Sequence, residues 1–166
     1  LPVTFPRVTG QIPLYYNALP GGRDINEYYD DGRKVTHNYE DCAGSPMYPF
    51  GFGLTYTSFE YSDIKTENTI LPIQALKDGQ KFHFRITVTN SGERSGTEVV
   101  QLYIHDLIAD RVRPLRELKG FKKIHLNPSE SVELSFELGF EELGYYLENG
   151  QYTVETGKFS VFIGSD

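Results

Sequence analysis

The stretch 81–90, KFHFRITVTN, places Phe82, Phe84, Ile86 and Val88 at alternate positions, with Lys81, His83, Arg85 and Thr87 between them. Successive side chains of a strand point to opposite faces, so this pattern specifies a strand with one buried and one wetted side. Wound as a helix, the same residues would scatter their apolar groups around the axis. The pattern recurs downstream. In TEVVQLYIHD, Val100, Leu102 and Ile104 share the expected inner face. SVELSFELG sets Val132, Leu134, Phe136 and Leu138 opposite Glu133, Ser135 and Glu137, and KFSVFIG groups Phe159, Val161 and Ile163.

Turn chemistry separates these runs. NSGERSG (90–96) and NPSES (127–131) join strands, and Asn149-Gly150 within ENGQ is a strong short-range hairpin signal. EELGYYL predicts one brief helical turn before that hairpin. The predicted strands lie near 58–67, 81–90, 97–105, 115–126, 131–138, 145–155 (broken by its turn) and 158–164. About seven short antiparallel strands in about 110 residues fit an all-β, two-sheet sandwich of immunoglobulin or fibronectin III type. Trp is absent and Cys42 is the sole cysteine. The antibody-type core of Trp and paired Cys is therefore excluded, and the fold must stand on its apolar core without an internal disulfide.

Residues 1–54 differ. They are rich in Pro, Gly, Tyr and Asp and show no sustained period, which predicts an extended, irregular linker region before a sandwich at 55–166. The stretch SPMYPFGFGLTYTSFEY (45–61) crowds Tyr48, Phe50, Phe52 and Tyr56 among prolines and glycines. Pro46 and Pro49 stiffen such a path, and Gly51 and Gly53 permit tight approaches that a Cβ would obstruct. This is the composition of a joint between packed bodies, so Tyr48, Phe50, Phe52 and Tyr56 are the expected interdomain packing residues. Four rings of ~150–250 Å² each represent on the order of 15 kcal/mol of transfer free energy as an upper bound.

Five motifs carry a family resemblance: LPVTFPRVTGQIPLYYN (1–17), MYPFGFGLTYTSFEYS (47–62), SGTEVVQLYIHD (95–106), RPLRELKGFKKIHLNPSES (113–131) and the closing GKFSVFIG. They resemble, in order and nearly end to end, the C-terminal region of family 3 glycoside hydrolases, the β-glucosidase and β-xylosidase group. The resemblance implies the tail of an α/β sandwich domain and a linker at 1–54, then a fibronectin type III-like domain at 55–166. It implies a parent enzyme that hydrolyses O-glycosidic bonds and whose upstream catalytic domains are this region's partners, in a periplasmic or secreted setting. It also implies that the nucleophilic Asp and the acid/base Glu lie in those upstream domains. One departure is Ser129, where the family usually carries Gly.

The residues themselves offer little chemistry. Glycoside hydrolysis needs two carboxyl groups flanking the scissile bond, ~5–5.5 Å apart in retaining enzymes. Asp30-Asp31, Glu40-Asp41 and Glu141-Glu142 are sequence neighbours that read as solvated loop acids, so no catalytic residue is assigned. DINEYYDDG (24–32) fails as an EF-hand loop because Tyr28 and Tyr29 occupy its fifth and sixth positions. An irregular oxygen cage from Asp24, Asn26, Asp30 and Asp31 is the alternative to a solvated loop, and no metal or cofactor is expected. His37, His83, His105 and His125 stand singly without ligand spacing, and PGGR lacks the spacing and Lys of a phosphate loop.

A net charge of −7 opposes nucleic-acid binding, which needs cations to neutralise phosphates. No apolar run is long enough to span a bilayer. The opening LPVTFP reads as extended structure from a processed product and does not report compartment. Two function classes follow: a non-catalytic module bracing catalytic domains, and a carbohydrate- or cell-surface-binding module with an oligosaccharide as partner. For the second, Tyr15, Tyr16, Tyr28, Tyr29, Tyr39, Tyr103, Tyr145 and Tyr146 are the candidate stacking platforms. A homo-oligomer contact is the weakest reading, because Lys81, Arg85, Glu133 and Glu137 charge the outer sheet face.

Overall fold

A computed structural model describes residues 1–20 and 43–165. Strands β1 (Phe59–Tyr61), β2 (Lys65–Thr66), β3 (Phe82–Asn90) and β6 (Ser131–Leu138) form one antiparallel sheet. In it, β6 pairs with one side of β3, and β1 and β2 together pair with the other. The second sheet has the order β5-β4-β9, from β5 (Glu117–Leu126), β4 (Gly96–Asp106) and β9 (Phe159–Gly164). Strands β7 (Tyr145–Tyr146) and β8 (Tyr152–Thr153) make a small hairpin. The arrangement is the expected all-β sandwich. The nine strand segments among the described residues correspond to seven expected runs, because the first run breaks into β1 and β2 and the sixth folds back as β7 and β8.

The alternation becomes the core. Phe84, Ile86 and Val88 of β3 meet Leu134, Phe136 and Leu138 of β6, and all pack against Val100, Leu102 and Ile104 of β4. Val88 and Val100 are fully enclosed. Phe159, Val161 and Ile163 of β9 close the same cluster from the side.

Helix α2 (Phe140–Leu143) is the short turn expected before the hairpin. The Glu142 carboxylate accepts from the Gly139 N–H at 2.7 Å, so one of the paired glutamates serves as a helix cap. The hairpin loop is longer than a two-residue turn. Gly150 N–H donates to Leu147 O at 3.0 Å, Leu147 N–H donates to Gln151 O at 2.9 Å, and Gly150 takes φ +79°. A turn closed by a glycine bulge therefore sets the register. Helix α1 (Ile73–Lys77) carries no periodic signal, since five residues are too few to show one. Leu76 anchors it in the core, and Gly79 at φ +93° ends it. Ser129 takes φ 63°, the left-handed conformation that accounts for the usual glycine there.

Candidate functional site

Strand β4 is buried on both faces from Val100 to Ile104. Tyr103 and Gln101 belong to its outer face by alternation, yet they are 5% and 3% exposed. Their cover is the lead segment, a two-stranded strap built from residues 1–5 and 47–52. Phe5 N–H donates to Tyr48 O (2.9 Å), Met47 N–H to Phe5 O (2.8 Å) and Gly51 N–H to Leu1 O (2.8 Å), while the Leu1 amino group donates to Phe52 O (2.7 Å). Tyr16 stacks on Phe50 at 4.3 Å between ring centroids and meets Tyr103 edge-on at 6.5 Å. Gly51, at φ +90°, lies so close to Gln101 that an added Cβ would stand 2.7 Å from its Nε2.

The four expected packing residues do not share one environment. Phe50 faces the sandwich through Tyr16. Tyr48 and Phe52 face each other at 4.9 Å, and Phe5 meets Tyr48 edge-on at 6.4 Å. Tyr56 is by far the most open of the four, at 90% exposure, and Leu54 beside it is at 91%. Both project from a stretch whose ends are held, at Gly51 against Gln101 and at Thr57, where Oγ1 donates to Asn90 Oδ1 at 2.6 Å. Among the described residues, twelve of the twenty-one exposed large apolar side chains fall within residues 1–56, Val3, Ile12, Tyr15, Leu19 and Met47 among them.

Two carbohydrate candidates are corrected by burial. Tyr103 lies beneath Tyr16, and its hydroxyl donates to Gln101 Oε1 at 2.6 Å. Tyr145 is 5% exposed with the Arg113 guanidinium 4.8 Å above its ring, and burial pushes its phenol up to about 12. Neither ring can stack on a sugar. Tyr146 is exposed, but its ring is held edge-on by Tyr152 at 4.8 Å.

Asp24, Asn26, Asp30, Asp31, His37, Glu40, Asp41, Cys42, Tyr28, Tyr29 and Tyr39 lie outside the described residues. Among the described residues no group of three or more His, Cys, Asp or Glu could hold a metal ion. His83 is exposed with Nδ1 3.4 Å from Glu137 Oε1, and His125 pairs with Thr97 Oγ1 at 3.0 Å, so both behave as surface histidines.

Alternation assigned the functional carboxamides incorrectly or not at all. Gln101 stands at an outward position, Asn90 within a turn motif and Gln11 within the aperiodic lead, yet all three are buried. No local pattern distinguishes them from surface amides.

The fibronectin type III-like domain family matches residues 98–166. The chain is 43% identical over 166 residues to a periplasmic β-glucosidase of Salmonella typhimurium, covering all of this chain and 21% of that one. It is 42% identical to a putative β-xylosidase of Formosa agariphila, covering 97% of this chain and 20% of that one. A solved β-glucosidase from Erythrobacter marinus superposes with a TM-score of 0.84 at 39% identity, covering 100% of this chain and 20% of that one. A β-glucosidase from Listeria innocua in complex with glucose gives 0.83 at 36%, covering 99% and 22%. The chain spans about a fifth of the length of the curated relatives it matches. Among the described residues no helix is long and apolar enough to cross a membrane. The chain belongs with the C-terminal, fibronectin type III-like regions of the family 3 glycoside hydrolases, the β-glucosidase and β-xylosidase group.

Proposed function

We propose that this chain is a non-catalytic C-terminal module of a periplasmic β-glucosidase-like hydrolase, in which it braces the catalytic domains while they cleave O-glycosidic bonds. Residues 55–166 form the sandwich module, and residues 1–54 connect it to the α/β domain before it. The observation that carries the reading is the pair Leu54 and Tyr56, at 91% and 90% exposure on a stretch held at both ends, at Gly51 and Thr57. Covering both would contribute about 3–6 kcal/mol of transfer free energy as an upper bound. The similarity to enzymes about five times longer supports a neighbouring domain that would cover them. A sugar-binding role has less support, because Tyr103 and Tyr145 are enclosed.

The test is a chimera in which this chain replaces the matching region of the Salmonella typhimurium β-glucosidase. The double substitution Leu54→Ser/Tyr56→Ser is expected to lower the chimera's stability by about 2–4 kcal/mol, while changing the free 166-residue chain by less than about 0.5 kcal/mol. Equal insensitivity of both proteins would sink the bracing role. Turnover of an aryl glucoside by the pure free chain would sink the non-catalytic assignment.

A further inference from the structure

Four polar or charged residues are buried among the described residues: Gln11, Asn90, Gln101 and Asp106. Gln11 and Asn90 hydrogen-bond to the chain on either side of the strap's second arm, at Ala43 and Thr57, and Gln101 lies against that arm at Gly51. Gln11 Nε2 donates to Ala43 O at 2.8 Å, and its Oε1 accepts from the Arg7 N–H, tying the first arm of the strap to the chain that enters the second. Gln101 accepts from Tyr103 Oη, donates to Ser165 O after β9, and abuts Gly51. Asn90 accepts from Thr57 Oγ1 and from the Gly92 N–H (3.1 Å), and donates to Arg94 O (2.7 Å) and Leu126 O (3.0 Å).

We propose that Gln11, Asn90 and Gln101 are positioning residues that staple the strap to the sandwich in one register, so that Leu54 and Tyr56 are presented as a preorganised anchor pair for the adjoining domain of the same protein. The physical reason lies in what each kind of contact selects. An apolar strap lying on an apolar face slides at little cost, because the hydrophobic effect is non-directional. A buried carboxamide bonded to the moving chain resists sliding, as at Gln11–Ala43 and Asn90–Thr57, because a shift by one residue strands those donors and acceptors away from water, at about 1–3 kcal/mol each. Gln101, bonded to Tyr103 and Ser165, fixes the surface that Gly51 lies against. Gln101 joins three chain segments at one point: strand β4, the turn at Gly51 and the residues after β9. Asn90 does the same where the strap enters β1. The stretch 52–56 is thus suspended between two polar fixtures, with its apolar pair facing outward. Preorganisation of this kind lowers the ordering cost of docking. The anchor role rests on the bracing function proposed above, whereas the stapling does not.

The experiment is amide hydrogen exchange on the 166-residue chain. Gln11→Met keeps the volume and removes the bond to Ala43 O. Exchange of amides 47–57 is expected to rise by about tenfold, the factor for losing roughly one buried hydrogen bond, with protection of β3 and β6 unchanged. Unchanged exchange at 47–57 overturns the stapling. If Gln11→Met loosens the whole fold, Thr57→Val decides, because it deletes only the hydroxyl that donates to Asn90 Oδ1. A rise confined to 47–57 supports the proposal, and no rise overturns it. Should the chimera tolerate Leu54→Ser/Tyr56→Ser while exchange still responds at 47–57, the docking reading fails and the staples stand.

Discussion

Replacing Gly51 by alanine tests the strap at its tightest point. Gly51 takes φ +90°, and an added Cβ would lie 2.7 Å from Gln101 Nε2 and 2.8 Å from its Oε1. Holding an L-residue on the positive-φ side costs about 1–2 kcal/mol. Stiffening of the unfolded chain returns about 0.4–1 kcal/mol. Real Cβ atoms do not approach so closely, so the Gln101 amide must move, and its partners Tyr103 Oη and Ser165 O lose it. Leaving such groups unsatisfied adds about 1–3 kcal/mol. The net expectation is a loss of roughly 2–4 kcal/mol, or about 5–15 °C in Tm for a chain of this size. The control is two residues away. Gly53 has no positive φ, and nothing lies within 4 Å of its Cβ position, so Gly53→Ala should stay within about 0.5 kcal/mol of the parent. Urea unfolding followed by Tyr fluorescence reads both variants. Agreement of the two within about 0.5 kcal/mol would show that the Gly51–Gln101 approach carries no energy.

Two further expectations concern single residues. Ser129 holds φ 63° in an exposed turn, so Ser129→Gly should stabilise the chain by about 0.5–1 kcal/mol, the left-handed cost removed less the flexibility added to the unfolded chain; thermal unfolding checks it. Asp106 is 8% exposed with no hydrogen-bond partner for Oδ1 among the described residues, and burial holds its carboxyl above the usual value of 3.8. A raised folded pKa means that the folded chain binds this proton more tightly than the unfolded chain. Asp106 therefore withdraws stability as pH rises from its ordinary value through its raised one, and the deficit is constant above that. The advantage of Asp106→Asn over the parent should grow across that window and then level off. An advantage independent of pH would contradict the burial argument.

The sandwich was legible because its signal is local. A period of two places Phe84, Ile86, Val88, Leu134, Phe136 and Leu138 on one side wherever the strands run, and burial of that side leaves few alternatives. The glycine after Asn149 and the motif NPSES marked chain reversals for the same reason, since φ preference belongs to the residue. The family motifs were equally visible, being contiguous runs. What could not be read was the outer face of β4. By alternation Tyr103 is as outward as Thr97, yet the strap covers one and not the other. That difference arises from residues about fifty to ninety positions earlier in the chain, held by hydrogen bonds that any glutamine or asparagine can make and that no spacing announces. The amino-acid order alone thus determined which residues avoid water within each strand. Only the tertiary structure decided which polar groups join them there, because a buried amide is defined by partners distant in sequence.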